Sequence, residues 1–348
     1  MGARRLRRLK PTIVLIAAGL ALTGCGVAHD SSPADVADDS ASLVAYVGRN
    51  EEHVRPLVEA FEAETGVSVD ARYGSTGELA TTILQEGEAS PADIFFAQDP
   101  VYIGALVDAG LLAPLPDDII ARVSEGISGP KNEWVGVTAR RRVMVYSPNN
   151  LPETNLPKSI HELTGPAWNG RVGLAPTHSS FVSFVASMIA TEGKDGARHW
   201  LTAIAVNDPV RFDGNHEIVE AVAAGDLAVG LVNHYYALQM AAERGSIDAS
   251  NHSFEPGDPG DVLMPTTIGI LESSAHQEVA QDFIRFLLRD SSQKHFLDNV
   301  KEYPLVEGIG TPPGERPLDV ELIHSMRLTE VGHNLTLATS LIAQAGLV

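Results

Sequence analysis

Apolar positions along this chain switch repeatedly between a period of two and a period near 3.6. Residues 43–47 form a short apolar run, which predicts a buried strand. Residues 51–64 follow with Val54, Leu57, Val58 and Phe61 at helical spacing, and Gly66 marks the end of that helix. Val67, Val69, Ala71 and Tyr73 then alternate with polar residues, the pattern of a half-buried strand. Ser75-Thr76-Gly77-Glu78 has the form of a capping box and opens the next helix. A buried strand is predicted over 91–97, and Asp99-Pro100 caps a helix that stops at Gly110. Residues 134–146 read as a strand with Arg140, Arg142, Met144 and Tyr146 on one face. A proline-rich loop region covers 148–171 before a second strand–helix set runs from 172 to 263. Another apolar strand over 264–271 and an amphipathic helix over 278–289 follow. Alternating strands and helices predict parallel sheet covered on both faces, with ligands held beyond the carboxyl ends of the strands. The order predicts two α/β lobes joined by more than one crossing strand.

The N-terminus breaks this pattern. Arg4, Arg5, Arg7, Arg8 and Lys10 precede an apolar run of ten residues, 13–22, too short to span a bilayer but suited to a signal-peptide core. The run ends in Leu22-Thr23-Gly24-Cys25, which resembles a bacterial lipobox, and Cys25 is the only cysteine in the chain. A lipid on Cys25 is therefore expected, with residues 25–42 as a polar, acidic tether. The lone cysteine excludes an internal disulfide framework and a cysteine-rich zinc site. Formal net charge is −20, and removing the basic leader takes it to about −25. Such a surface repels nucleic acid.

Chemistry is concentrated at Asn233-His234-Tyr235-Tyr236. A short strand is predicted over 227–232 and a helix over 237–244, with Asn233 as its N-cap. Both phenols then sit at a helix N-terminus, where negative charge is favoured. Two neighbouring phenolates would form a hard, doubly negative oxygen site suited to a ferric ion. Adjacent tyrosines are also common as half-buried packing with satisfied hydroxyls, so the pair alone leaves both readings open. Gly74-Ser75-Thr76-Gly77 can cradle an anion, but its simpler role is the helix cap. His161-Glu162 lacks the second histidine of a zinc-protease helix, and neither a Gly-x-Ser-x-Gly elbow nor a phosphate-binding Gly-Lys-Ser/Thr loop is present. A binding protein is expected rather than an enzyme.

Seven stretches in order carry a family resemblance: Tyr46-Val47-Gly48-Arg49-Asn50-Glu51-Glu52, Phe61-Glu62-Ala63-Glu64-Thr65-Gly66, Pro91-Ala92-Asp93-Ile94-Phe95-Phe96-Ala97-Gln98, Ala109-Gly110-Leu111-Leu112-Ala113-Pro114-Leu115, Trp168-Asn169-Gly170-Arg171-Val172-Gly173, Asn233-His234-Tyr235-Tyr236 and Glu302-Tyr303-Pro304-Leu305. Over residues 43 to about 310 the chain resembles the ferric-iron-binding solute-binding proteins of ABC importers, the bacterial transferrins. The resemblance implies a type II periplasmic binding protein: two α/β lobes, a two-strand hinge and an interlobe cleft. The lobes would comprise residues 43–140 with 266–316, and 141–265 with 317–348, after a leader over 1–24. Implied partners are a permease and its ATPase, with the chain a monomer tethered outside the cytoplasm. Implied ligands are Fe(3+) with phosphate or carbonate. The family's metal-binding tyrosines match Tyr235 and Tyr236. Its anion-holding positions match Ser179, Ser180, Asn215 and Asn233, and its cleft arginine matches Arg140, with Arg142 close by. A third metal-binding tyrosine of some members falls near His178 or Phe181, which makes His178 a further candidate metal ligand. Two departures stand out: Asn50 and Gln98 occupy positions where well-studied members carry a histidine and a glutamate, and neutral amides are weak ligands for a trivalent ion. His53 and Asp99 are the neighbouring substitutes, though a solvated helix residue and an N-cap are their simpler roles. The alternative is a receptor of the same fold for a phosphorylated or carboxylated small molecule, held by the arginines, Ser179, Ser180 and Asn215.

Overall fold

The computed structural model describes residues 42–318 and 328–348. The leader, Cys25 and all of the tether but Ser42 lie outside the described residues.

The first half alternates as the periodicity predicts. β1 (Ser42–Val47), α1 (Glu51–Thr65), β2 (Ser68–Tyr73), α2 (Thr76–Glu86), β3 (Ile94–Ala97) and α3 (Pro100–Asp108) follow in order. α1 buries Val54, Leu57, Val58 and Phe61 and stops at Gly66, whose φ of 75° suits a residue without a side chain. The Ser75 side chain accepts the backbone N–H of Glu78, which is one half of the expected capping box without the reciprocal Glu78 bond, and Asp99 accepts the N–H of Val101 with Pro100 beside it.

β4 (Leu112–Ala113) and α4 (Asp117–Ile120) lead to β5 (Val135–Tyr146), all twelve residues of which are buried. The second half contains β6 (Val172–Leu174), α5 (Ser179–Val206), β7 (Val210–Arg211), α6 (Asn215–Ala224), β8 (Val229–Asn233), α7 (Tyr235–Arg244) and β9 (Ser250–His252). α5 is two helical pieces joined at Gly193, whose φ of 78° lies outside the helical region. The chain returns through β10 (Leu263–Leu271), then forms α8 (Gln277–Leu287), α9 (Asp290–His295) and β11 (Tyr303–Pro304). Two further helices, Leu328–His333 and Leu335–Gln344, end it.

The strands run in the order β2-β1-β3-β10-β5-β8-β6-β7. β1 pairs in parallel with β2 and β3, and β6 with β7 and β8. The sheet is nevertheless mixed, not parallel throughout as the alternation predicts: β10 is antiparallel to β3 and β5, and β5 to β8. The cause is connectivity. β5 carries the chain from the first half to the second and β10 brings it back, so these neighbours must run in opposite directions.

Three consecutive arginines lie buried at the middle of β5, and strand alternation sends them to opposite faces. Arg141 pairs with Asp261 at 3.0 Å, both side chains 2% exposed, and lies over the Tyr303 ring. The second Asp261 oxygen meets Arg316 at 2.8 Å. Removing Asp261 leaves a buried guanidinium without its counter-charge. Asp261→Ala is expected to lower the unfolding free energy by about 3–5 kcal/mol, read from a urea titration.

Candidate metal and anion site

A cavity of about 720 Å³ opens where the strands of the two halves end. From the first half, Gly48 and Asn50 follow β1, Ser75, Thr76 and Gly77 open α2, Gln98 follows β3, and Tyr102 comes from α3. From the second half come Thr177, His178, Ser179, Asp213, Tyr235, Tyr236 and Gln239. Leu335 and Thr339 of the last helix complete the wall. Gly48 is required for its lack of bulk: a Cβ there would lie 2.3 Å from the Thr76 hydroxyl, which itself donates to the Gly48 carbonyl.

Tyr235 and Tyr236 start α7 on this wall. Their rings stack, with centroids 4.3 Å apart and planes 27° off parallel. Tyr235 is buried, and burial, followed by the neighbouring Tyr236, raises its pKa well above the usual tyrosine value; Arg140 opposes the shift. The Tyr235 phenol is therefore neutral at physiological pH. His53 packs edge-on against Tyr235 at 6.3 Å. The Gln239 amide lies 3.2 Å from His53 Nε2 and donates to the Val300 carbonyl. The His53 nitrogen facing it thus acts as an acceptor, and burial lowers the His53 pKa. Behind the pair, His234 is buried, its Nδ1 accepting the Arg141 N–H while Nε2 donates to the Lys301 carbonyl. Burial pushes its pKa down to about 4.

Asn233 does not cap α7. It is the last residue of β8, and His234 already has helical dihedrals (φ −54°, ψ −37°). The Asn233 side-chain Oδ1 instead accepts from Arg142 Nη1 at 3.4 Å. The same nitrogen donates to Asn215 Oδ1 at 3.1 Å and Ser180 Oγ at 3.3 Å, while Nη2 donates to the Leu231 carbonyl at 2.7 Å. Arg142 also lies over the rings of Phe181 and Phe184. Burial brings its pKa down to about 9, leaving it a cation at neutral pH.

The expected anion positions consequently separate into two tiers. Ser179 and His178 line the large cavity. Ser180, Asn233 and Arg140 line a recess of about 10 Å³ behind it, room for one water. Asn215 is 1% exposed and spends its side-chain Oδ1 on Arg142. Arg140 donates to the Gln98 carbonyl and so ties β5 to the loop after β3. Asn50 and Gln98 do reach the cavity, as neutral amides. Asp99 does not line it, and serves as the α3 cap.

Sequence reading missed several residues here. Gln239 sits four residues after Tyr235 and three after Tyr236, a spacing that puts it on their helix face and could have found it. Tyr102 and Asp213 carry no such signal, and Leu335 and Thr339 arrive from a distant helix. The buried Arg49–Glu302 pair, 2.8 Å apart, was also missed; Thr138 donates to the same carboxylate at 2.6 Å. It pins the start of the Asn50 loop to the crossing strand.

The mixed sheet flanked by helices, with a cavity at its strand ends, is the fold of the type II periplasmic binding proteins. Residues 89–317 match the family model of the bacterial extracellular solute-binding proteins, and the chain belongs to that family. It is 30% identical to the Fe(3+)-binding periplasmic protein of Serratia marcescens over 318 residues, 90% of this chain and 93% of the relative. It is 29% identical to the major ferric iron-binding protein of Neisseria meningitidis, over 88% and 93% of the two chains. Iron-bound HitA from Pseudomonas aeruginosa superposes with a TM-score of 0.81 at 32% identity, covering 88% of this chain and 99% of that one.

Proposed function

We propose that this protein is an extracytoplasmic receptor that captures ferric iron together with a small anion and delivers it to an ABC importer. The observation that carries the reading is the stacked Tyr235–Tyr236 pair on the cavity wall, with buried Arg140 and Arg142 close enough to act on its charge. Likeness to iron-binding relatives supports the same ligand. In this reading both phenolates hold the metal. Asn50 and Gln98 contribute neutral contacts from the opposite wall, and phosphate or carbonate fills the remaining positions near Ser179. Residues 43–140 with 266–316 close against 141–265 with 317–348 around the ligand, and the protein acts as a monomer. Titration of the iron-free protein with ferric citrate tests this. A phenolate-to-iron charge-transfer band should grow to one equivalent of metal, and a colourless product would overturn the reading.

We also propose that Cys25 carries the lipid that keeps the receptor at the membrane. None of the helices among the described residues is long and apolar enough to cross one. Cys25→Ser is expected to leave the protein unprocessed or released into the medium. Processing and detergent partitioning like wild type would remove the lipid anchor from this account.

A further inference from the structure

His178 sits at the junction between the two tiers, and its protonation pattern can be worked out from its neighbours. It caps α5, its Nδ1 accepting the backbone N–H of Ser180 at 3.2 Å. The Ser180 hydroxyl is 2.8 Å from the same nitrogen. That hydroxyl already accepts from Arg142 Nη1 at 3.3 Å and from Asn215 Nδ2 at 3.2 Å, so its own proton is free to point at His178. Asn215 is oriented by the same guanidinium: its Oδ1 faces Arg142, which leaves its Nδ2 facing Ser180 and, at 3.4 Å, His178 Nδ1. Every bond in this chain therefore runs outward from the buried Arg142 cation, and His178 Nδ1 receives donors only. A neutral imidazole in that setting must carry its proton on Nε2. Burial, Arg142 and Arg140 push the His178 pKa down to about 4, so the ring is neutral at physiological pH. No described residue bonds Nε2, and His178 lines the large cavity.

We propose that His178 is an anion-binding residue: it presents Nε2–H to the cavity as a hydrogen-bond donor for an oxyanion and does not ligate the metal. An N–H has no lone pair to offer a cation. Ligation through Nε2 would require a proton on Nδ1, where the Ser180 backbone N–H already points. Ser180, Asn215 and Arg142 then act through His178, by fixing its tautomer, and do not touch the anion. The oxyanion is the small anion of the proposed function, seated beside Ser179.

The inference rests on the iron reading for its function, but its tautomer can be tested alone. In the iron-free protein labelled with 15N-histidine, His178 is expected to show a protonated Nε2 and an unprotonated Nδ1. That pattern should persist on loading with gallium(III), a diamagnetic stand-in for the ferric ion. An Nδ1–H tautomer, or a shift of Nε2 to a metal-bound value, overturns the proposal. In parallel, the visible band of the iron-loaded protein is titrated with bicarbonate and with phosphate. His178→Phe should raise the half-saturating anion concentration about tenfold to a hundredfold, the loss of one hydrogen bond to a charged group. His178→Gln, which restores an N–H near the Nε2 position, should recover most of it. Loss of the band in both variants at saturating anion would make His178 a metal ligand, and an unchanged anion dependence in His178→Phe would remove it from the site. A wild type with no band under any condition overturns the iron reading instead, while the tautomer and an anion-induced shift of His178 would still stand.

Discussion

Tyr235→Phe and Tyr236→Phe are each expected to abolish the visible iron band or shift it strongly, and to weaken ferric affinity at least about a hundredfold. Outer-shell partners of metal ligands typically cost 10–100-fold when lost, and a direct anionic ligand should exceed that. The asymmetry of the cavity sharpens the expectation. Its first-half wall offers Asn50, Gln98 and His53 and no carboxylate, so negative charge for the metal must come from the two phenolates, with Asp213 the carboxylate on their own side of the cavity. Asn50→Ala and Gln98→Ala should therefore do much less than either tyrosine change. Both phenylalanine variants should fold, because the ring stack survives the loss of a hydroxyl. A receptor for a phosphorylated or carboxylated molecule would rank the variants in reverse, losing most from Arg140→Ala and keeping its affinity after either tyrosine change. Chelator competition on the five variants decides between the rankings. Full iron binding by the double phenylalanine variant would end the phenolate account.

Local features were legible in the sequence and long-range ones were not. The caps at Ser75 and Asp99, the stop at Gly66 and the Tyr235–Tyr236 pair depend on neighbours within a few residues, and each is found where its pattern predicts. Asn233 shows the limit. Its side chain suits an N-cap, but Arg142, ninety-one positions earlier, takes its Oδ1. The same guanidinium recesses Ser180 and Asn215, because a cation buried that deeply must collect acceptors. Alignment with a family motif names these residues without saying which of them meets solvent. Sheet direction was hidden for a related reason: hydrophobic period tells which face is buried, not which way a strand runs past its partner.

Proton release gives a second, independent handle on the same oxygens. A free tyrosine has a pKa of about 10, and that of Tyr235 is higher still because its hydroxyl is buried beside a second phenol. Iron displaces the hydroxyl proton of each phenol it binds, so loading should release about two protons from the protein. The sign follows directly: protons and iron compete for the same lone pairs, so affinity falls as pH falls. Each displaced proton contributes about a tenfold change in affinity per pH unit. His178 adds nothing above about pH 5, since its pKa is down to about 4 and it stays neutral. The accompanying anion complicates the absolute slope, because bicarbonate and phosphate take up protons of their own between pH 5 and 7. That contribution is common to wild type and variants and cancels in the difference. Affinity measured by chelator competition across this range should lose about one unit of slope in Tyr235→Phe and about one in Tyr236→Phe. A slope unchanged by either substitution would mean that iron binds without ionising that phenol, and the hard oxygen pair on α7 would then be packing rather than ligand.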